Sequence, residues 1–265
     1  MSRAAEAIDA LLALMRTLRD PERGCPWDQA QSFRSIVPFT IEEAFEVADA
    51  VERGDLERLR DELGDLLFQV VFLARMAEEL GRFDFADVAR GIHEKLVRRH
   101  PHVFAQPTGL DLAQLHQSWE AQKAHERAAR GARGTLADVP PALPALVRAA
   151  KLGRRASRVG FDWDGAAGVR GKIDEELAEI DEALRLGERS RIAEELGDLL
   201  FSIANWARHL ELDPEQSLRA ATLKFEQRFA RMEQQAQQQG RALATLSAAQ
   251  WDELWLAAKS LNGGA

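Results

Sequence analysis

Apolar residues recur along this chain at intervals of three and four, the period of a helix that buries one side. Ile8, Leu11, Leu12, Met15 and Leu18 form the first such stripe, and Asp20-Pro21 ends it. A polar loop over 22–31 carries Gly24 and Cys25-Pro26-Trp27-Asp28. The pattern then predicts a helix with Thr40 as N-cap and Glu43 three residues on, running to Arg53 before Gly54-Asp55. Further helices are predicted over 56–80, 85–99 and 110–130, the last after His100-Pro101-His102. The second half yields helices over 169–186, 190–210, 214–239 and 247–261. No segment sustains the apolar–polar alternation of a strand, and Tyr is absent. The expected fold class is therefore all-α.

The polar positions inside these helices carry a duplication. Glu42, Glu43, Glu46, Glu62 and Asp65 recur 133 residues later as Glu175, Glu176, Glu179, Glu195 and Asp198. The string Glu62-Leu-Gly-Asp-Leu-Leu-Phe68 reappears unchanged as Glu195 to Phe201. A period of nearly half the chain means a duplicated domain and not a solenoid. The expected organisation is two tandem helical bundles, 1–130 and 145–265, joined by a Gly-, Ala- and Pro-rich linker over 131–144.

Residues three or four apart share a helix face, so each copy presents its acids in register. The two helices of a copy are separated by a short turn and should lie antiparallel, which lets their acidic faces converge. Converging carboxylates repel unless neutralised, and an oxygen-only ligand set suits Mg²⁺, or Mn²⁺ as substitute. The acids stand among Leu63, Leu66, Leu67 and Phe68 and their second-half counterparts, where an unpaired charge is costly. Gly64 and Gly197, mid-helix, suggest close approach or room for a ligand. A single Glu-Glu-x-x-Glu is a common solvated face; its repetition with an Asp-bearing partner at the same interval is not. A di-iron site wants Glu-x-x-His, and no His follows a Glu by three here.

A second constellation is also duplicated. Lys95 and Arg99 match Lys224 and Arg228; Trp119 and Lys123 match Trp255 and Lys259. Each pair is i,i+4. Lys and Arg bind phosphate oxygens, and a Trp face stacks on a nucleobase without selecting it. Lys172, one turn before Glu176, is placed to reach a phosphate.

The net charge of −8 argues against a nucleic-acid polymer as partner, though not against an anionic substrate at a metal. Cys25 is the only cysteine, which excludes an intrachain disulfide and fits a reducing compartment. Acids interrupt the first twenty residues, unlike a signal peptide, and the apolar run near Leu66 to Ala74 is too short for a bilayer. A soluble, cytoplasmic protein with no membrane partner is expected.

Ile41-Glu42-Glu43-Ala-Phe-Glu46 followed by Glu62-Leu-Gly-Asp65 resembles the Glu-Glu-x-x-Glu … Glu-x-x-Asp signature of the all-α nucleoside triphosphate pyrophosphohydrolases. Gly-Cys-Pro-Trp-Asp28, Gly-Arg-Phe-Asp84, Arg-Arg-His-Pro-His-Val-Phe104 and Val-Gly-Phe-Asp-Trp163 are similar to strings of the two-domain MazG family. The resemblance spans essentially the whole chain. It implies Mg²⁺-dependent hydrolysis of NTPs and dNTPs to monophosphate and pyrophosphate, a homodimer whose helices complete the bundles, and catalysis in the C-terminal half. It assigns Glu176, Glu179, Glu195 and Asp198 as metal ligands and leaves Glu175 as either a base or an outer-shell group. It assigns Lys172, Lys224, Arg228, Trp255 and Lys259 to the nucleotide. The N-terminal set, Glu42, Glu43, Glu46, Glu62 and Asp65, is complete in acids, yet the family leads one to expect it to be silent. Two competing readings are a non-enzymatic helical dimer that binds a partner, and a phosphate hydrolase of different product.

Overall fold

Ser2, Ser32, Asp55, Asp84 and Asp213 each cap a helix N-terminus with the side chain. The computed structural model describes residues 2–105, 111, 114–115, 118–119, 121–123, 126 and 134–260, and no strand occurs among them. The chain divides into two compact units, 1–124 and 125–265.

In the first unit, α1 (Arg3–Leu18) starts at Ser2, whose hydroxyl accepts from the Ala5 N–H. A short α2 (Pro26–Ala30) occupies part of the loop expected over 22–31. The hairpin that matters is α3 (Phe33–Arg53) and α4 (Leu56–Glu79). Gly54 takes the left-handed conformation, φ 68°, that stops α3, and Asp55 caps α4 by accepting from the Arg58 N–H at 3.0 Å. α5 (Phe85–Arg99) and α6 (Pro101–Phe104) follow. Most of the helix expected over 110–130, and positions 131–133, lie outside the described residues.

α3 begins at Phe33 and not at Thr40. A reciprocal cap explains the earlier start: the Ser32 N–H donates to Ser35 Oγ at 2.8 Å, and the Ser35 N–H to Ser32 Oγ at 3.2 Å. Pro38, which lacks an N–H, reads as a breaker but is carried inside the helix. Thr40 is no cap; its hydroxyl donates to the Ile36 carbonyl at 3.1 Å.

In the second unit the order is α7 (Ala145–Ser157), α8 (Gly165–Leu186), α9 (Arg189–His209), α10 (Pro214–Gln238), a 3₁₀ turn (Leu243–Thr245) and α11 (Ala248–Ser260). α7 is an element that periodicity did not pick out. Its buried positions are Ala150 and Gly153, with Leu146, Val147 and Leu152 half-buried around them. A Cβ on Gly153 would run into the Asn205 side chain, so glycine there lets α7 lie against α9. Asn205 is fully buried and satisfied, donating to the Phe201 carbonyl at 3.0 Å and accepting from Arg208 Nε at 3.1 Å.

Each unit has its own core. Met15, Ile36, Val71, Phe72 and Met76 form the first, with Leu11, Leu12 and Phe85 packed on it. Met232, Ala236, Leu254 and Ala258 form the second, under Phe229, Trp251 and Trp255. Burying Phe72 alone is worth about 1.5–3 kcal/mol. α3 packs on α4, and α8 on α9, so each hairpin is pinned along its length. Both hairpins also have an arginine tie to the loop before them. Arg19 pairs with Glu79 at 2.7 Å and donates to the Asp28 carbonyl at 2.5 Å. Arg208 donates to Asp162 at 2.9 Å, with His209 at 3.0 Å, and these bonds hold the Asp162 carboxyl down to about 2. No helix among the described residues is long and apolar enough to cross a membrane.

Candidate active site

The α8–α9 hairpin turns at Gly187, φ 72°, which brings the acid-bearing stretches of the two helices side by side. α8 carries Lys172, Glu175, Glu176 and Glu179 along about two turns; α9 carries Glu195 and Asp198. Glu176 is 2% exposed. Its Oε1 accepts from Lys172 Nζ at 2.9 Å, and its Oε2 is buried with no protein partner. Lys172 also reaches Glu175 Oε1 at 2.8 Å. The hydrogen bonds from Glu175 and Glu176 push the Lys172 ammonium well above its ordinary range, so it is a fixed positive charge.

Glu176, Glu179 and Glu195 each offer a carboxylate oxygen, and the three oxygens lie within 4.8 Å of one another. Partial burial, then the neighbouring Glu195 charge, pushes the Glu179 carboxyl upward. The set is short of positive charge at its centre, an imbalance that a hard cation would relieve. Asp198 is exposed and stands outside this group; Glu175 is exposed and engaged with Lys172.

The first unit assembles a related but different group. There Glu43, Glu62 and Asp65 meet within 4.8 Å, while Glu46 is half-buried beside them and Glu42 is exposed. Burial, and then the charges of Asp65 and Glu46, push the Glu43 carboxyl upward. The position 133 residues before Lys172 is Phe39, which meets Trp27 edge-on at 5.8 Å. Glu43 thus lacks the lysine that Glu176 has.

One pair of side chains bonded to the acids escaped sequence reasoning. Arg191 Nε lies 3.3 Å from Glu195 Oε1, and its Nη2 lies 3.4 Å from Glu182 Oε2 across the hairpin. Arg58 repeats this at the same interval, with Nε 2.9 Å from Glu62 and Nη1 3.1 Å from Asp49. The signal was available: an arginine one turn before the second-helix glutamate in both copies.

The cation–aromatic constellation is built by α10 and α11. Arg228 Cζ lies 5.6 Å and Lys259 Nζ 5.7 Å from the Trp255 ring centroid, and Phe225 leans on the same ring at 5.7 Å. Arg228 Nε is buried without a partner. Lys224, one turn earlier, is exposed. In the first unit Lys123 Nζ lies 4.9 Å over Trp119, and His100 meets the same ring at 5.4 Å. Lys95 and Arg99 are half-buried on α5.

Comparison with known proteins agrees with this duplication. The family model described as "MazG nucleotide pyrophosphohydrolase domain" matches twice, over residues 31–104 and 169–231, which takes in both acid-bearing hairpins. A nucleoside triphosphate pyrophosphohydrolase of Escherichia coli is 45% identical over 94% of this chain and 95% of its own. A nucleoside triphosphate pyrophosphohydrolase/pyrophosphatase MazG of Thermotoga maritima is 42% identical over 98% of both chains. A nucleoside triphosphate pyrophosphohydrolase of Mycobacterium tuberculosis is 34% identical over 80% of this chain and 65% of its own. With matched domains in both halves and full-length relatives at this identity, the chain belongs to the MazG nucleotide pyrophosphohydrolase family.

Proposed function

We propose that this protein hydrolyses nucleoside and deoxynucleoside triphosphates to the monophosphate and pyrophosphate, using Mg²⁺, with water attacking the α-phosphorus. The observation that carries the proposal is the meeting of Glu176, Glu179 and Glu195 within 4.8 Å, one of them buried with an unpartnered oxygen. The activity follows the names of full-length relatives. The donor set is all oxygen and acidic, which fits Mg²⁺ or Mn²⁺. Glu176, Glu179 and Glu195 would hold the ion, with exposed Asp198 adding a ligand beside them. A bound Mg²⁺ supplies Lewis-acid polarisation of phosphoryl oxygens and a more acidic water.

The chain's own residues do the rest. Lys172 bonds one oxygen of buried Glu176 and leaves the other for coordination. Trp255 offers a ring face for the base, which gives broad base tolerance. Arg228 and Lys259, held against that ring, and exposed Lys224 take the negative charge of the triphosphate. Glu175, tied to Lys172, acts as an outer-shell group or base. The N-terminal acids, Glu42, Glu43, Glu46, Glu62 and Asp65, form the non-catalytic copy.

We further propose a homodimer, with the compartment cytoplasmic. Apolar side chains lie open at helical spacing: Val37, Ile41 and Phe45 on α3, and Leu196, Leu200 and Ile203 on α9 are each more than a third exposed. A second copy covering these stripes removes a large apolar area from water. Light scattering should give twice the chain mass; a monomer at micromolar concentration would overturn this.

The test of the activity is direct. Purified protein is incubated with several NTPs and dNTPs in Mg²⁺ or EDTA and the products identified. Monophosphate plus pyrophosphate, lost in EDTA, is the expected result. Orthophosphate release, or no turnover by folded protein with metal present, would overturn it.

A further inference from the structure

We propose that Arg191 is a positioning residue that locks Glu195 against Glu176 and Glu179 and so sets the affinity of the C-terminal group for a divalent cation. This rests on the metal set proposed above.

Glu176 and Glu179 are three residues apart on one helix, so their relative placement is fixed by α8 itself. Glu195 is the member that comes from α9, and its place depends on the register between helices and on its own rotamer. Three carboxylate oxygens within 4.8 Å push one another apart, and the side chain from the other helix has the freedom to leave. Arg191 removes that freedom in three directions. Its Nε holds Glu195 Oε1 at 3.3 Å, its Nη2 reaches Glu182 on α8 at 3.4 Å, and its Nη1 faces Glu188 in the turn at 3.7 Å. A guanidinium makes such contacts in fixed planar directions; an ammonium does not.

The first unit repeats the device. Arg58, Asp49 and Glu62 stand 133 residues before Arg191, Glu182 and Glu195, and Arg58 bridges both partners at 3.1 and 2.9 Å. The surrounding positions have diverged: Glu57 against Ser190, Arg60 against Ala193, and on the facing helix Phe39 against Lys172. The arginine bridge has been kept with the acids it serves, although the lysine has not. Glu62 and Glu195 are the better covered ends of these pairs, at 12% and 14% side-chain exposure. Arg191 is 34% exposed, so its loss costs little folding stability and shows instead in the geometry of the metal group.

The experiment measures Mn²⁺ affinity by titration calorimetry or electron paramagnetic resonance on the full chain. A Glu43→Gln/Glu62→Gln background leaves the C-terminal group as the acidic set under study. Loss of an outer partner of a metal ligand weakens affinity about 10- to 100-fold. Arg191→Ala should therefore raise the Mn²⁺ Kd about 10-fold or more while the thermal melt stays close to the parent. Arg191→Lys should remain weakened, because a lysine cannot bridge Glu195 and Glu182 together. Glu182→Ala, which leaves the Arg191–Glu195 bond in place, should weaken binding in the same direction and add nothing in the Arg191→Ala background. An unchanged or tighter Kd in Arg191→Ala, or full rescue by lysine, would overturn the positioning role. Glu195→Gln separates the two levels. If it weakens Mn²⁺ and Arg191→Ala does not, only the positioning fails; if it too has no effect, the metal set is wrong and the positioning falls with it.

Discussion

The two halves hold the same five acids at the same spacing and yet build different sites. In the C-terminal half a lysine bonds the buried Glu176, and the oxygens of Glu176, Glu179 and Glu195 meet. In the N-terminal half Phe39 takes the lysine's place, Glu43 is less deeply buried, and the meeting oxygens come from Glu43, Glu62 and Asp65. The comparison teaches that acids alone do not define the site. What differs is the cation bonded to the buried carboxylate of one copy and missing from the other. A carboxylate without that partner is pushed toward its neutral form by burial and by its neighbours, as Glu43 is.

The largest effect should come from the C-terminal acids. Glu179→Ala or Glu195→Gln should lower pyrophosphate release by about 10²-fold or more, on the scale of losing one group that stabilises developing charge. Glu46→Ala and Glu62→Gln should leave the rate within a few-fold of wild type. A steady-state assay that found the halves equally sensitive would erase the contrast drawn here.

Exchanging the differing residue sharpens the comparison. Lys172→Phe makes the C-terminal hairpin resemble the N-terminal one. It strands a buried carboxylate, which costs about 1–3 kcal/mol in a denaturant melt, and it should cut the rate about 10-fold or more. The reverse change, Phe39→Lys, sacrifices the edge-on contact with Trp27, worth about 0.5–1.5 kcal/mol. It should lower the Glu43 pKa, read by carboxyl NMR in the Glu176→Gln background. A Glu43 titration that did not move would separate the lysine from the charge state of the acid.

Much of this contrast was legible in the sequence, for definite reasons. The repeat, the all-helical fold and the α3–α4 and α8–α9 hairpins followed from spacing, because helical period and a glycine turn are local properties. What was missed depends on contacts between elements. The start of α3 at Phe33 was hidden behind Pro38, whose cost inside a helix is offset by the reciprocal serine cap together with the burial of Ile36 in the core. α7 was overlooked although Leu146, Val147 and Ala150 stand at helical spacing, because it follows the Pro-rich stretch directly and has no polar N-cap to mark its start. The replacement of Lys172 by Phe39 could be read from the offset, but its meaning required seeing Glu176 buried. The arginine bridges needed the partner helix, because Glu182 and Asp49 matter only once the hairpin brings them across. That Asp198 is exposed while Glu195, one turn earlier, is half-buried is a difference that spacing alone does not give.

The smallest expected effect lies away from the acids, in the loop ties. Asp162 has its carboxyl lowered from 3.8 to about 2 by Arg208, against partial burial, with help from His209. A depressed folded-state value means the stabilisation is complete above the unfolded value and is lost as pH falls through the folded one. Asp162→Asn should therefore destabilise the second unit by about 1–2 kcal/mol near neutral pH. The difference from wild type should shrink as pH drops from about 4 toward 2. The first unit makes its tie through Arg19 and Glu79, so its own transition should not respond to Asp162→Asn.

The most direct test of the central claim is to compare Glu176→Gln with Glu43→Gln for Mg²⁺-dependent pyrophosphate release from ATP, both as folded full-length protein. The account predicts that Glu176→Gln loses turnover and Glu43→Gln keeps it. Turnover surviving in Glu176→Gln, or lost in Glu43→Gln alone, would contradict the placement of catalysis at the lysine-supported acids of the C-terminal half.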